Sequence, residues 1–296
     1  MLQMATDLLI GLSPFARGEE RHEWAVAARA LINAAVRTGS RLVEGRARFL
    51  LGNVATAATW LDEAEQESRR AVELCREADD LLILRQALND LGLLAQFRGR
   101  FDEAVGHYEE AIDLARKLGH WSGESVTVLN SAVARVRAGR ADEAAAICES
   151  VLADQRERGD RAGQAKALHV LGLALDALGR HRDAADRFAE ALRLWTAVGA
   201  PWRGAPARYR LAGAMLAMGE AEAALPQVQE ALQVCRSSGQ ERDQGHALMV
   251  LARVLHALGS GDEARQRAEE ARQLYTRLGL PEAADAAALS RSWAPA

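Results

Sequence analysis

The sequence has 296 residues, of which 49% are hydrophobic, 26% charged and only 5% aromatic. Alanine accounts for 61 residues and proline for 6, a composition that favours an all-helical chain over one rich in β-strands. No apolar stretch is long enough for a transmembrane helix, and the formal net charge of −4 provides no positive excess for phosphate contacts. We therefore expect a cytoplasmic chain that makes no direct contact with nucleic acid or membrane.

A shift of 40 residues aligns the sequence with itself over most of its length. One column of this alignment contains Gly99, Gly139, Gly179, Gly219 and Gly259. Five residues later, another contains Ala64, Ala104, Ala144, Ala184, Ala224 and Ala264. A third contains Gly39, Gly119, Gly159, Gly199, Gly239 and Gly279, with Asp79 in the remaining place. This register predicts a repeat array.

Each 40-residue unit is predicted to form two helices. Leu84, Leu88 and Leu91 follow the helical spacing of one apolar face, and Gly99 suits the left-handed position that ends a helix. A second helix then begins near Phe101 and continues to the Lys117 region. The small side chains of the alanine column, including Ala104, Ala184 and Ala264, are expected to be buried between the two helices. Pro206 and Pro226 predict a local kink or a delayed helix start.

The motifs of these units resemble the tetratricopeptide repeat (TPR). The residues that carry the resemblance are Leu91-Gly92, Ala104, Tyr108 and Ala111, and then Leu171-Gly172, Ala184, Phe188 and Ala191. The resemblance implies an all-α fold, a right-handed superhelix of about seven helix-turn-helix units plus a C-terminal capping helix. We expect one domain over residues 1–296, with a degenerate first unit at 1–40, six regular units at 41–280 and the cap at 281–296.

The period of 40 residues and the N-terminal segment narrow the resemblance. Leu8-Leu9, Phe15-Ala16-Arg17-Gly18 and Glu23-Trp24 resemble the start of the TPR sensor region of actinomycete antibiotic-regulatory (SARP-type) regulators and related signal-transduction ATPases. The sequence has no Gly-x-x-x-x-Gly-Lys-Ser/Thr phosphate loop. An ATPase or DNA-binding domain would therefore lie outside this chain, which would be an excised C-terminal module or a stand-alone relative.

Motifs of catalysis and metal binding are not found in the sequence. The seven histidines form no i, i+4 pair, and the sequence lacks the Gly-x-Ser-x-Gly and His-Glu-x-x-His patterns. Cys75, Cys148 and Cys235 show no CxxC spacing and are interpreted as buried free thiols. We therefore predict no enzyme activity, no metal and no cofactor.

The TPR resemblance implies that a concave groove, lined by the first helix of each unit, binds the partner. The positions that would face this groove are Arg46, Phe49, Asn53, Gln86, Asn89, Gln96, Lys166, His169, Asp176, Tyr209, His246, Met249, Arg253 and His256. Amide, cationic and aromatic side chains in this mixture suit an extended peptide. Tyr209 and Arg253 are the predicted anchors, because aromatic and arginine side chains dominate binding energy in interfaces.

Three functions fit this sequence. The first is a module that binds a protein or peptide segment, as the sensory or oligomerising region of a bacterial transcription regulator, with self-association as a further form of partner binding. The second is a stand-alone scaffold or adaptor in a multi-protein complex. The third is a repeat array that binds a small molecule or acts as an enzyme. The repeat architecture specifies a shape, and the partner is selected by a few side chains.

Overall fold

The structure is a computed structural model that describes residues 2–12, 20–58, 60–119 and 121–293. Within these residues it contains fifteen α-helices, one short 3-10 helix and no β-strand, which confirms the all-α fold class. Residues 15–18, part of the N-terminal resemblance, lie outside the described residues. Among the described helices, none has the length and apolar character needed to span a bilayer. The helices are α1 (Leu2–Leu12), α2 (Glu20–Thr38), α3 (Arg41–Ala57), α4 (Leu61–Glu77), α5 (Leu81–Phe97), α6 (Phe101–Lys117), α7 (Trp121–Arg137), α8 (Ala141–Glu157), α9 (Arg161–Ala177), α10 (His181–Ala197), α11 (Ala205–Ala217), α12 (Ala221–Ser237), α13 (Glu241–Ala257), α14 (Gly261–Arg277) and α15 (Glu282–Ser292).

The chain divides into two compact units, Met1–Ala134 and Arg135–Ala296. In the first unit α3 packs against α4 and α5 against α6, and in the second unit α9, α11 and α13 pack against α10, α12 and α14. We call the odd-numbered helices α3 to α13 the first helices of the repeats and the even-numbered helices α4 to α14 the second helices. The predicted last helix is present as α15, which packs on α14. A single continuous domain over residues 1–296 stays a prediction.

The glycine columns mark the ends of the helices. Gly99 has a φ of 73°, and Arg100 N–H donates to the carbonyl of Ala95 at 2.9 Å, which closes the end of α5. In the other glycine column, that of Gly39 and Gly119, Asp79 stands in place of glycine and adopts the same left-handed conformation with a φ of 54°. The turn geometry is therefore kept even where the residue has a Cβ, and this fixes each helix pair in the same register.

The pairing of small and large residues lets the two helices of a repeat approach closely. Ala104, Ala184 and Ala264 are fully buried, as predicted. A Cβ at Gly172 would lie 2.5 Å from Cε1 of the buried Phe188 ring. Glycine on the first helix therefore makes room for an aromatic ring on the second.

The two prolines give different results. The register predicts a helix from about residue 201, but α11 begins at Ala205 after a 3-10 helix at Pro201–Gly204, so the delayed start predicted at Pro206 is confirmed. At Pro226 the start is not delayed, because α12 begins in register at Ala221 and contains the proline; a local kink there stays a prediction. The N–H of Ala224 already donates to the carbonyl of Glu220 at 3.0 Å, and the full burial of Ala224 anchors this first turn before the proline is reached.

Candidate functional site

In the first unit, the predicted groove residue Arg46 is held by two carboxylates. Its Nε donates to Oδ2 of Asp80 at 2.6 Å, and its Nη1 donates to Oδ1 of Asp7 at 2.5 Å. These two bonds raise the pKa of Arg46 above its ordinary value, led by the bond to Asp80. Arg46 therefore ties α1 and α3 to the start of α5, and its charge is already compensated.

A set of amide side chains, which we call the amide row, follows the same face of α3, α5 and α7. Its members are Asn53, Gln86, Asn89, Gln96 and Asn130, and all are half-buried.

Several of the hydrogen bonds within the amide row are long. Asn53 Nδ2 donates to Oδ2 of Asp90 at 3.5 Å, and Asn89 Oδ1 accepts from Asn130 Nδ2 at 3.3 Å. Gln96 Nε2 makes a short bond of 2.6 Å to the hydroxyl of Tyr108. The row is therefore connected across repeats, and its longer bonds are weak.

The amide row keeps unused hydrogen-bonding capacity. A primary amide has two N–H donors and a carbonyl oxygen that can accept two bonds. Asn53 uses one of its donors, and Oε1 of Gln86 is buried without a hydrogen-bond partner. Asn130 was missed by the sequence analysis, and so was Asp90, whose pKa is raised to about 6 by burial.

A signal for the missed residues exists in the 40-residue register. They belong to the column of Leu50, Asp90, Asn130, Val170, Arg210 and Val250. Three of these positions are aliphatic, so a polar residue in the same column interrupts an apolar pattern. The interruption, rather than the expected groove positions, would have identified Asp90, Asn130 and Arg210.

In the second unit, aromatic and charged side chains of α9, α11 and α13 form a second site, the arginine-histidine cluster. It consists of His169, Tyr209, Arg210, Asp243 and His246.

The contacts of the cluster run from one first helix to the next. The hydroxyl of Tyr209 donates to Oδ1 of Asp243 at 2.9 Å, and the Tyr209 ring lies 6.1 Å from the His246 ring. The Arg210 guanidinium lies over the Tyr209 ring at 5.4 Å. Tyr209 is therefore enclosed by its neighbours on α11 and α13.

Both imidazoles of the cluster are uncharged at neutral pH. Burial, and to a lesser extent the charge of Arg210, lowers the pKa of His169 to about 3. Burial also lowers the pKa of His246 to about 3, with the charges of Arg210, Arg242 and Arg137 acting in the same direction. As neutral rings, they can donate or accept hydrogen bonds.

The family model of the tetratricopeptide repeat matches residues 44–117 and 124–197, which together are half of the chain. A second tetratricopeptide repeat model matches residues 245–270. The chain belongs to the tetratricopeptide repeat family.

Similar proteins include regulators. The chain is 33% identical over 154 residues to the regulatory protein AfsR of Streptomyces griseus, a match that covers 52% of this chain and 16% of the regulator. The chain therefore spans a small part of that relative, and the resemblance to antibiotic-regulatory proteins is confirmed for this part.

Two solved structures share the TPR fold. One is the Rap conjugation gene regulator of the plasmid pLS20 in complex with the Phr* peptide, with a TM-score of 0.63 and 16% identity over 88% of this chain and 76% of the other. The second is a signal transduction ATPase with a tetratricopeptide repeat sensor from Pyrococcus horikoshii, with a TM-score of 0.59 and 15% identity over 94% of this chain and 44% of the other.

Three of the expected TPR groove residues are buried, and their role as exposed contacts is wrong. Phe49, Tyr209 and Met249 are 6%, 3% and 8% exposed. They share one column of the register with Asn89 and His169, which are half-buried. Phe49 packs in a core cluster with Ile83 of α5, and Tyr209 bonds to Asp243 of α13. The side chains of Phe49 and Tyr209 therefore join neighbouring repeats.

The remaining groove residues of the second unit fall into two groups. Asp176 Oδ1 is hydrogen-bonded to His181 at 2.7 Å, and His256 stacks on Trp293 with ring centroids 4.4 Å apart. These two residues therefore contact the following helix and the end of α15. Lys166 and Arg253 are exposed, and as partner contacts they stay predictions.

Proposed function

We propose that this chain is the partner-recognition region of a cytoplasmic regulatory protein and binds an extended protein or peptide segment on its first helices. The observation that carries this proposal is the amide row of the first unit. An extended backbone presents N–H and C=O groups along its length, and amide side chains with spare donors and acceptors can bind both. Binding, rather than catalysis, is the activity that such a row supports.

Apolar side chains on the same face support a peptide ligand. Leu82 is 41% exposed and lies one helical turn before Gln86, and Val126 is 45% exposed and lies one turn before Asn130. Side chains four residues apart lie on one face of a helix. Amide and apolar groups therefore alternate on α5 and α7, and a bound segment would use the first for its backbone and the second for its side chains.

The comparisons support the same proposal. The AfsR match is to a regulatory protein, and the pLS20 Rap structure holds a peptide on a related fold. We propose that this chain likewise acts by binding a segment, and that any contact with DNA is made by a domain outside it. The sensory role is part of the proposal.

A selection from a displayed library of random peptides tests this function. We expect the wild-type chain to enrich peptides, and Asn89→Ala or Asn130→Ala to lower their affinity about tenfold, which is about 1.4 kcal/mol. Gln66→Ala is the matched control, because Gln66 is an exposed amide on the second helix α4. Thermal melts would check that each variant is folded.

Two results would contradict the proposal. One is a selection that enriches no peptide over an unrelated helical protein. The other is binding that survives the loss of Asn89 and Asn130 and is abolished by Gln66→Ala, since the partner would then use the second helices. Arg253→Ala, at an exposed position of α13, provides a further test of the face in the second unit.

A further inference from the structure

Arg210 is a charged residue at a place where both neighbouring repeats have an aliphatic one. Val170 and Val250 occupy the same column in the neighbouring repeats. Arg210 is half-buried and lies over the ring of Tyr209, and among the residues that the structure describes, no carboxylate lies within ion-pair distance of it. A partly buried charge without a direct counter-charge lowers the free energy of unfolding. An anionic ligand would supply that counter-charge at this position.

The surroundings of Arg210 contain charged groups of both signs and an unused hydrogen-bonding atom. Arg210 acts electrostatically on His169, His246 and the carboxylate of Asp243. Arg242 and Arg137 also act on His246, and Arg242 is itself paired with Glu282 at 3.2 Å. Nδ1 of His169 is buried and has no hydrogen-bond partner. A neutral imidazole can place a proton on that nitrogen and donate it to an anion. Arg210 and His169 therefore offer donors from two neighbouring first helices.

The one acidic member of the cluster is already engaged. Oδ1 of Asp243 accepts the hydroxyl hydrogen of Tyr209 at 2.9 Å. The charge of Asp243 disfavours a dianionic phosphate nearby, whereas a singly charged carboxylate is repelled less. The planar guanidinium of Arg210 also matches a carboxylate in a two-bond geometry. The half-buried ring of His246 can cover the aliphatic part of an acidic side chain.

We propose that the arginine-histidine cluster binds a carboxylate group of the segment recognised by the second unit. This inference rests on the proposed function, which it makes more specific. The carboxylate comes from an aspartate or glutamate side chain or from the C-terminus of the segment. Both sources present the same planar anion to Arg210.

The first experiment needs no peptide partner. Sodium acetate is added to the whole chain against sodium chloride of equal ionic strength, and the imidazole resonances are followed by NMR. The His169 resonance is assigned by its loss in His169→Gln. We expect acetate to shift it in the wild type and not in Arg210→Gln, while Arg193→Gln, which removes an exposed arginine of α10, behaves as wild type. Equal shifts in wild type and Arg210→Gln would overturn the inference and leave the proposed function standing.

The second experiment uses the peptides enriched by selection. Each is resynthesised with its acidic residues changed to the matching amides, and with a free or an amidated C-terminus. We expect one of these changes to lower the affinity for the wild type about tenfold, and to have no effect with Arg210→Gln. Arg210→Lys should keep part of the discrimination. If neutralising every carboxylate leaves affinity unchanged, or if Arg210→Gln discriminates as the wild type does, the inference is wrong.

Discussion

The contact between Gly172 and Phe188 predicts a large effect of adding one methyl group. A Cβ at position 172 would lie 2.5 Å from Cε1, 2.7 Å from Cδ1 and 2.9 Å from Cζ of the Phe188 ring. This ring is fully buried between the helices and cannot move aside without shifting its neighbours. Overpacking of this kind costs about 1–3 kcal/mol, and the helix-forming gain of alanine over glycine returns only about 0.5–1 kcal/mol. We therefore expect Gly172→Ala to lower the free energy of unfolding by about 1–2 kcal/mol.

Another repeat of the same chain shows how the clash can be relieved. At the equivalent places, Ala212 and Val228 are both fully buried in one core cluster. The double variant Gly172→Ala/Phe188→Val reproduces this pair. Phe188→Val alone leaves a void and costs about 2–4 kcal/mol, but the added methyl group partly fills that void. A double-mutant cycle should show about 1–2 kcal/mol of favourable coupling.

Urea unfolding followed by circular dichroism measures these free energies. Gly213→Ala is the matched control, because Gly213 also lies in a first helix and a Cβ there meets nothing within 4 Å. It should raise the free energy of unfolding by about 0.5–1 kcal/mol. If Gly172→Ala is as stable as Gly213→Ala, or if the cycle shows no coupling, the glycine is not kept for the ring, and the explanation of the repeat motif fails.

Three further predictions follow from other residues. Ala104→Leu overpacks a fully buried site and should lower the free energy of unfolding by about 1–3 kcal/mol, against little change for the exposed Glu109→Ala. Asp79, with its φ of 54°, should be replaced better by glycine than by alanine, and Asp79→Gly should exceed Asp79→Ala in stability by about 1 kcal/mol in the same assay. Burial raises the pKa of Asp90 from 3.8 to about 6, so the folded state favours the protonated carboxyl group. The free energy of unfolding therefore falls as the pH rises from about 4 through 6. Asp90→Asn removes this loss, and a stability difference from the wild type that is constant over that range would contradict it.

The boundaries of the helices could be predicted from the sequence because local rules set them. Glycine at a helix end needs no tertiary contact to adopt a positive φ, so Gly99 and its column fixed the register in advance. The burial of the alanine column could be predicted because paired helices leave little space between them. The start of α12 was not predicted, because the local penalty of Pro226 competes with packing that begins before it, and packing at Ala224 prevailed.

The candidate site was harder to predict because residues in one column of the register have different neighbours in different repeats. Phe49 and Tyr209 were assigned to the groove by resemblance, yet their side chains contact the next first helix and are buried. Asn89 and His169, in the same column, are half-buried. Arg46 was placed on the right helix, but its two carboxylate partners lie 34 and 39 residues away. A sequence pattern shows on which face of its helix a residue lies. The residue that it contacts on another helix is known only from the packed structure.

The position of Arg210 suggests how a repeat fold acquires a binding site. Leu50 and Val170 in its column are buried, at 0% and 6% exposure, so this column can serve the core. Asp90 and Arg210 occupy the same place with charges, and neither changes the register of its helix. A charge at a half-buried position lowers stability locally, and the rest of the array compensates because each repeat packs only on its neighbours. We therefore expect partner selection in a TPR array to depend on polar residues that interrupt an apolar column, rather than on the most exposed residues.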